Sequence, residues 1–430
     1  PHISLCSLWL KIPREIMPKQ PIRLLHFADA HIDIANYGRH DPQTGLPLRV
    51  MDFLHALDQI VDAAIEEKVD LVVFAGDAYK DRNPQPTFQR AWGERMMRLS
   101  QACIPTVLLV GNHDVSPAAG RAHTLHEFST LSVPYIHVAD RLALLTPSQL
   151  GVPVQIITVP WLSRSMLVGR EETAGKTVEE IYSRIEELVS LRVTELIEQA
   201  DPDIPLILTA HASVQGAKYG SERAVMLGHE LVLSGGLVNH KKLDYVALGH
   251  IHKPQVLSAQ DSHPPIIYPG SIERIDFGEK EDKRFVLAEV GKGQTHWEFR
   301  KLKTRRFIDP APITPRTEHF MEDVLSQLPA AEDVVDAVCR VRLSFLRDDE
   351  PLLDERAILA HFERAFEVKI QKHYLLGKRS RLGDSAGVEA MTPLELLETY
   401  WLSEELDSAE IEVLLALAKE ILAEDVGEKG

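Results

Sequence analysis

Cysteine is scarce in this chain of 430 residues, which has only Cys6, Cys103 and Cys339. An odd number of cysteines this far apart in sequence provides neither a disulfide framework nor a cysteine-rich zinc site. Long apolar runs are missing as well, since no stretch approaches the roughly 20 residues that a membrane helix needs. These absences predict a cytoplasmic protein with no membrane segment.

Basic residues are outnumbered, with 47 Lys and Arg against 64 Asp and Glu, for a net charge of -17. Tight non-specific binding of nucleic acid by this chain alone is not expected, because neutralising phosphates takes many basic side chains. The acidity is concentrated, however, in residues 384–430, which hold 13 acidic and 2 basic residues. The rest of the chain is only mildly acidic and could still accommodate DNA at a metal site. A partner would then supply much of the affinity for DNA.

The order of predicted elements indicates an α/β fold. Apolar runs that predict buried strands alternate with segments of helical periodicity. Strands are predicted at 22–28, 70–75, 105–110, 154–159, 206–210, 243–248, 266–268 and 285–290, and helices at 49–68, 87–101 and 178–199. This alternation is typical of layered sheets covered by helices.

Changes in composition divide the chain into four segments. Residues 1–16 are predicted to be a non-native or disordered arm, because Met17 resembles a natural start. Residues 17–300 form the main α/β domain, which ends at a basic, proline-rich stretch. Residues 301–380 are expected to form a small α/β capping domain. Residues 381–430 are expected to form a C-terminal helix pair.

Five short polar clusters each follow a predicted buried strand. They are Asp29-Ala-His31, Gly76-Asp77, Gly111-Asn-His-Asp114, His211 and Gly249-His-Ile-His252. The carboxyl ends of strands in an α/β sheet share one edge, so these clusters should converge. Carboxylate, amide and imidazole ligands without sulfur suit Mn, Fe or Zn. Their number fits two metal ions that share a carboxylate and activate water for attack on a phosphate ester.

This series of motifs resembles the calcineurin-like metallophosphoesterase superfamily. The resemblance implies a layered αββα core and assigns a role to each motif residue. Asp29, His31 and His252 would hold the first metal, Asn112, His211 and His250 the second, and Asp77 would bridge the two. His113 resembles the histidine that contacts the phosphate and protonates the leaving oxygen. Asp114 resembles the partner that orients the imidazole through a hydrogen bond.

A segment after the last motif resembles a narrower group. Residues 268–279 read Tyr-Pro-Gly-Ser-Ile-Glu-Arg-Ile-Asp-Phe-Gly-Glu, as in SbcD-type DNA repair exonucleases. The segments 25–31, 209–216 and 285–289 are also similar, and the resemblance covers about residues 20–300. It implies an exonuclease on duplex ends and an endonuclease on single strands, with two Mn²⁺ ions as cofactors. Its role would be double-strand break repair.

The same resemblance implies partners. The nuclease would bind DNA and dock its C-terminal helices on an SbcC-type ATPase. Residues 390–425 are the candidate docking element, because a capping box at Thr392 opens a segment with apolar residues at helical spacing. The alternative is that these helices pack on the chain itself or dimerise. A homodimer is also expected, with helix 49–68 or 87–101 at its interface.

Other positions leave alternatives open. Lys80 stands where some members carry a histidine linked to exonuclease action. Lys80 and Arg82 would either contact the DNA backbone or remain solvated loop charges. The basic cluster at 301–306 is interpreted as a solvated linker, with DNA contact as the minor alternative, and His26 is interpreted as a core residue. A small-molecule metallophosphodiesterase is the alternative function, and a non-catalytic scaffold is disfavoured because no metal ligand is missing.

Overall fold

The computed structural model describes residues 20–36, 40–43, 45–115, 121–162, 177–220, 232–259, 262–375, 392–403 and 407–427. The arm predicted at 1–16 lies outside these residues. The chain divides into two compact units, of which the first runs to Ile308 and also includes Asp336–Val338. The domain boundaries predicted at 16, 300 and 380 stay predictions. Among the described helices, none is both long and apolar enough to cross a membrane.

Among its described residues, the first unit begins with alternating strands and helices and ends with a run of strands. Its strands are β1 (Ile22–Phe27), β2 (Leu71–Phe74), β3 (Thr106–Leu109), β4 (Ile136–Ala139), β5 (Ala143–Leu145), β6 (Gln155–Val159), β7 (Leu206–His211), β8 (Ser213–Val214), β9 (Val232–Leu233), β10 (Tyr245–Gly249), β11 (Gln255–Val256), β12 (Ile266–Tyr268), β13 (Arg284–Gly291), β14 (Gln294–Lys301) and β15 (Phe307–Ile308). Its helices are α1 (Leu48–Glu66), α2 (Pro86–Gln101), α3 (His126–Thr130), α4 (Pro147–Leu150), α5 (Val178–Gln199) and α6 (Gly235–Val238).

Two six-stranded sheets dominate the described part of this unit. The first has the order β14-β13-β1-β2-β3-β4, in which β1 to β4 are parallel and β13 is antiparallel to β1. The second has the order β11-β12-β10-β7-β6-β5, in which β12, β10, β7 and β6 are parallel. Mainly parallel sheets need helices on their outer faces. The predicted α/β fold class is confirmed.

Three apolar cores connect the layers of this unit. Between the sheets, Leu24 of β1 packs in the same core as Tyr245 of β10. The outer face of the first sheet is covered by α1 and α2, which contribute Phe53 and Trp92. The outer face of the second sheet is covered by α5, which contributes Ile185. The layers therefore follow the αββα order that the resemblance implied.

The basic cluster at 301–306 is solvated at Lys301, Lys303 and Arg306, as interpreted, but Arg305 is partly buried and belongs to the fold. Leu302 is buried in the core beneath α1. The Arg305 guanidinium donates from Nε and Nη2 to the two oxygens of Asp52 on α1, each at 2.7 Å. A bidentate pair of this kind fixes both partners in one geometry. Composition alone could not reveal that an α1 carboxylate faces this segment.

The second unit contains most of β16 (Val338–Leu346), together with β17 (Glu367–Leu375), which is its neighbour in one sheet. Its helices are α7 (Phe320–Ser326), α8 (Glu355–His361), α9 (Pro393–Ser403) and α10 (Ser408–Gly427). Helices α9 and α10 pack against each other. The capping box predicted at Thr392 is confirmed, because Thr392 N–H donates to Glu395 Oε2 at 2.6 Å and Glu395 N–H donates to Thr392 Oγ1 at 3.4 Å.

Candidate metal centre

The predicted site residues lie at the carboxyl ends of strands from both sheets. The first sheet supplies Asp29 and His31 after β1, Asp77 after β2, and Asn112, His113 and Asp114 after β3; the second supplies His211 at the end of β7, and His250 and His252 after β10. The residues therefore meet where two sheets end side by side, whereas the sequence predicted the edge of a single sheet.

Sharp backbone turns aim these side chains inward. Asp29, His31, Asp77 and His250 all have positive φ angles, of 52°, 40°, 65° and 97°. Such angles are uncommon for residues with a side chain and cluster at functional sites. Gly76, with φ of 100°, has no room for a side chain, because a Cβ there would lie 2.3 Å from Nδ1 of His211. The loop after β2 can approach β7 only with glycine at this position.

A first group of ligand atoms comes from Asp29, His31 and His252, all within 4.8 Å of one another. His31 Nδ1–H donates to the Tyr79 carbonyl oxygen at 3.2 Å, and His252 Nδ1–H donates to Glu279 Oε1 at 3.0 Å. As neutral imidazoles, both rings carry a lone pair on Nε2, and these two atoms face each other at 3.2 Å. Two facing lone pairs repel unless a cation lies between them. These residues fit a metal ion.

A second group comes from Asp29, Asp77 and His211. His211 Nδ1–H donates to the Ala75 carbonyl at 2.7 Å, so its Nε2 points toward Asp77 Oδ2 at 3.2 Å. Asp77 Oδ2 is also 3.8 Å from Nε2 of His31, so this oxygen lies between the two groups. Asp29 belongs to both groups. That Asp77 is the bridging carboxylate stays a prediction.

Asn112 joins the second group from the loop after β3. Its Oδ1 lies 3.0 Å from Nε2 of His211 and 3.1 Å from Nδ1 of His250. The carboxylate of Asp29 also accepts the His250 backbone N–H at 3.0 and 3.1 Å, which ties the end of β1 to the end of β10. All seven predicted ligands are thus gathered in one place.

The buried charges of this centre favour a positive charge. Burial lowers the pKa of His211, but the Asp77 and Asp29 carboxylates and the bond to the Ala75 carbonyl together raise it to about 9. Burial in turn raises the pKa of Asp77, but the His211 and His113 imidazoles hold it well below its usual range. Asp29 and His211 are fully buried. A desolvated pocket that stabilises an imidazolium in this way also suits a divalent cation.

The hydrogen bond predicted between Asp114 and the His113 imidazole is wrong. Asp114 is fully buried and accepts the backbone N–H groups of Gly111, Asp77 and Ala78 at 2.9, 2.9 and 3.1 Å. The His113 ring instead donates its Nδ1–H to the Lys80 carbonyl at 2.7 Å. Carboxylates readily saturate their oxygens with backbone donors when loops converge on them. Asp114 therefore fixes the loops, and Lys80 orients the ring.

Sequence comparison decides the family. Residues 22–254 match the family model described as calcineurin-like phosphoesterase. The chain belongs to this family. The centre described above is accordingly the site of a metal-dependent phosphoester hydrolase. Its two overlapping ligand groups are the candidate dimetal site.

Two curated bacterial relatives are similar to this calcineurin-like phosphoesterase. The uncharacterized metallophosphoesterase YhaO of Bacillus subtilis (strain 168) is 26% identical over 316 residues, which cover 71% of this chain and 68% of that protein. A subunit of the nuclease SbcCD of Escherichia coli (strain K12) is 23% identical over 270 residues, which cover 62% of this chain and 64% of that protein. The chain thus spans less than two thirds of the Escherichia coli protein.

Solved structures show weaker likenesses. TT1561 of Thermus thermophilus matches with a TM-score of 0.38 and 14% identity, covering 65% of this chain and 99% of that chain. A dimetal phosphatase from Danio rerio matches with a TM-score of 0.34 and 14% identity, covering 66% of this chain and 100% of that chain. Scores this low add nothing to the assignment of the site.

Two residues at the site of this phosphoesterase were missed by sequence reasoning. Glu279 closes the resemblance segment 268–279 but received no role, although it contacts His252. The Trp161 ring lies 5.2 Å from that of His250 and 6.3 Å from that of His211, measured between centroids. Trp161 follows β6 as the ligand clusters follow their strands, and that position is the signal that could have found it.

Proposed function

We propose that the chain is a metal-dependent DNA nuclease of the SbcD type, acting with an SbcC-type ATPase in double-strand break repair. The observation that carries the proposal is the pair of overlapping ligand groups, with His113 beside them. The similarity to the Escherichia coli protein, which is named as part of the nuclease SbcCD, supports the choice of DNA as substrate.

The roles proposed for the metal ligands follow the two groups. Asp29, His31 and His252 would hold one ion, Asn112, His211 and His250 the other, and Asp77 would contact both. Two Mn²⁺ ions bound there would neutralise charge on the phosphodiester and lower the pKa of a water. The side chains themselves stay fixed, because the backbone carbonyls of Tyr79 and Ala75 hold the rings of His31 and His211.

His113 is proposed as the general acid. Because its Nδ1–H is donated to the Lys80 carbonyl, a second proton can be carried only on Nε2. The His113 ring stands edge-on to His31 with centroids 5.1 Å apart, and its backbone N–H donates to Asp77 Oδ1 at 2.8 Å. It is thus fixed beside the ligand groups. From there, Nε2–H can transfer its proton to the leaving oxygen of the phosphodiester.

Two surfaces support the proposed partners. The Lys80 and Arg82 side chains are exposed on the loop that orients His113, where they can meet the DNA backbone. On α10, Val413 and Leu417 are 69% and 55% exposed and lie one turn apart. An apolar face left open on a helix pair fits docking on a partner. The homodimer implied by the resemblance stays a prediction.

The first test is cleavage of linear duplex and of circular single-stranded DNA by the purified chain with Mn²⁺. We expect cleavage of both substrates, abolished by a chelator and by Asp77→Ala. Asp62→Ala, which removes an exposed carboxylate from α1, is the matched control and should cleave like the parent. Mn²⁺-dependent hydrolysis of a small phosphodiester without cleavage of either DNA would overturn the nuclease. The alternative, a small-molecule phosphodiesterase, would then replace it.

The role of His113 has its own test. His113→Asn should lower turnover by about 100-fold or more, while the Mn²⁺ affinity and stoichiometry stay those of the parent. Unchanged turnover with both ions bound would remove His113 from the mechanism.

A further inference from the structure

The segment 268–279 contacts His252 at both its backbone and its side chain. Gly270 has φ of 80°, and a Cβ on it would lie 2.5 Å from the His252 carbonyl oxygen. The close approach lets Ser271 N–H donate to that same oxygen at 3.3 Å. Nine residues after Gly270 along the chain, Glu279 Oε1 accepts the Nδ1–H of the His252 ring at 3.0 Å. One loop therefore holds both the backbone and the imidazole of a predicted ligand.

Glu279 is itself held by a closed set of buried contacts. Its Oε2 pairs with Lys283 Nζ at 2.7 Å and accepts the Ile275 N–H at 2.9 Å. Lys283 Nζ in turn donates to Ser271 Oγ at 2.6 Å, at the start of the loop. Relative exposures are 4% for Glu279, 1% for Lys283 and 0% for Ser271. The carboxylate is charged, desolvated and unable to turn away from His252.

A buried ion pair of this kind needs an explanation other than stability. Desolvating both charges costs about as much as their attraction returns, and apolar replacements are often neutral. His31 and His211 donate their Nδ1–H groups to the neutral carbonyls of Tyr79 and Ala75. An imidazole whose N–H donates to a carboxylate is a stronger metal ligand than one whose N–H donates to a carbonyl. The explanation for the buried Glu279–Lys283 pair is therefore its contact with the His252 imidazole.

We propose that Glu279 is a positioning residue, with Lys283 as its counter-ion, which presents Nε2 of His252 to the first ligand group and strengthens the binding of a divalent cation there. This inference rests on the metal centre of the proposed function but not on its substrate. The segment 268–279 thereby acquires a physical role, namely support of one of the two ligand groups.

The test is Mn²⁺ binding measured by titration calorimetry, without DNA. Glu279→Gln/Lys283→Met removes both charges at similar volume, so that neither charge is left buried and unpaired. We expect one of the two binding events to weaken by about 10- to 100-fold, while the other stays within about 2-fold of the parent. Two unchanged events, or two events weakened equally, would overturn the proposal.

The control is a second carboxylate–ammonium pair in the same unit. Asp244 Oδ2 and Lys292 Nζ are 2.9 Å apart, and Asp244 precedes β10 whereas His252 follows it. Asp244→Asn/Lys292→Met should leave both Mn²⁺ events unchanged, whatever its cost in stability. A selective loss of one event in this control would show that any broken pair has the same effect.

A measurement on the parent protein covers the case in which the double variant does not fold. In the metal-free, ¹⁵N-histidine-labelled chain, His252 should be the Nδ1–H tautomer, as its bond to Glu279 requires. An Nε2–H tautomer would overturn the proposal. Neither experiment depends on DNA cleavage, so failure of the nuclease hypothesis and failure of this inference give different results.

Discussion

Asp114 shows how much one buried carboxylate can organise. Its two oxygens accept three backbone N–H groups and the Thr124 hydroxyl at 3.1 Å. These donors come from the loops after β2 and β3, which carry Asp77 and Asn112. The family resemblance implied that Asp114 orients the His113 ring, but the side chains of these two adjacent residues have different partners.

We expect Asp114→Asn to lower the free energy of unfolding by about 2–4 kcal/mol, because an amide NH₂ faces backbone donors and leaves them unsatisfied. Urea unfolding of the metal-free protein measures this cost. The matched control is Asp70→Asn, since exposed Asp70 accepts a single backbone N–H, that of Arg23, at 2.8 Å. The control should cost less than about 1 kcal/mol, and equal costs would contradict the role given to Asp114.

His26 is a buried neutral histidine that joins the two sheets. Its Nδ1 accepts from the Tyr245 hydroxyl at 3.0 Å, and its Nε2–H donates to the Leu248 carbonyl at 3.2 Å. Burial lowers the pKa of His26 to about 3, against the bond to Leu248, which raises it. The core position predicted from the sequence is confirmed, whereas its hydrogen bonds to a strand more than 200 residues away were not predictable from sequence.

This depressed pKa makes the stability that His26 contributes depend on pH. The contribution is complete above about pH 6.5, the unfolded value, and is lost as the pH falls toward 3, because only the unfolded chain takes up the proton. The cost of His26→Gln in urea unfolding should therefore shrink by about 1.4 kcal/mol per pH unit below 6.5. A cost that stays constant between pH 7 and pH 5 would show that His26 is protonated in the fold.

Among the elements, buried strands were the most predictable part of the fold. β1, β2, β3, β7 and β12 are apolar runs with both faces covered, and such runs stand out in any sequence. β14 was missed because its burial alternates and its sequence mixes His, Glu and Arg with Trp and Phe. Its pairing with β13, and not its own composition, makes it a strand.

The gathering of the candidate ligands was predictable from the sequence, but the groups that support them were not. The candidate ligands are His, Asp and Asn residues that each follow a strand, and this pattern is visible in the sequence. The supporting groups each make one hydrogen bond to a residue that is distant in sequence, as the Lys80 carbonyl does with His113 and the Glu279 carboxylate with His252. A backbone carbonyl carries no residue identity at all, and Glu279 is one of 64 acidic residues.

The turn at Gly270 should tolerate no side chain. We expect Gly270→Ala to lower the free energy of unfolding by more than about 2 kcal/mol and to weaken Mn²⁺ binding, since its Cβ would push on the His252 carbonyl. Gly293 is the control, because its φ of 74° is similar but a Cβ there meets nothing within 4 Å. Gly293→Ala should cost only about 1 kcal/mol and leave Mn²⁺ binding unchanged. Equal effects at both glycines would show that contact with His252 is immaterial.

For the molecule as a whole, the helix pair α9–α10 should matter for assembly and not for chemistry. We expect Val413→Glu/Leu417→Glu to weaken co-purification with the proposed SbcC-type ATPase by at least about 10-fold, because charges on the apolar face must be desolvated on docking. DNA cleavage by the chain alone should not change. Leu191→Glu, at an exposed leucine of α5, is the control and should leave both properties intact. Retained co-purification of the double variant would place the docking surface elsewhere.

The two ends of β10 are fastened by different means. Before the strand, Asp244 Oδ1 accepts Gly293 N–H at 2.7 Å and its carbonyl accepts the Thr295 hydroxyl at 2.6 Å, which ties the second sheet to the β13–β14 hairpin of the first. After the strand, the ligand groups draw side chains from both sheets. Cations at that end would act as cross-links between the sheets as well as reagents, stabilising the folded state by mass action. The rigidity of the metal-binding end would thus depend on the concentration of metal ions in the cell. The hydrogen bonds of Asp244 hold the opposite end at any metal concentration.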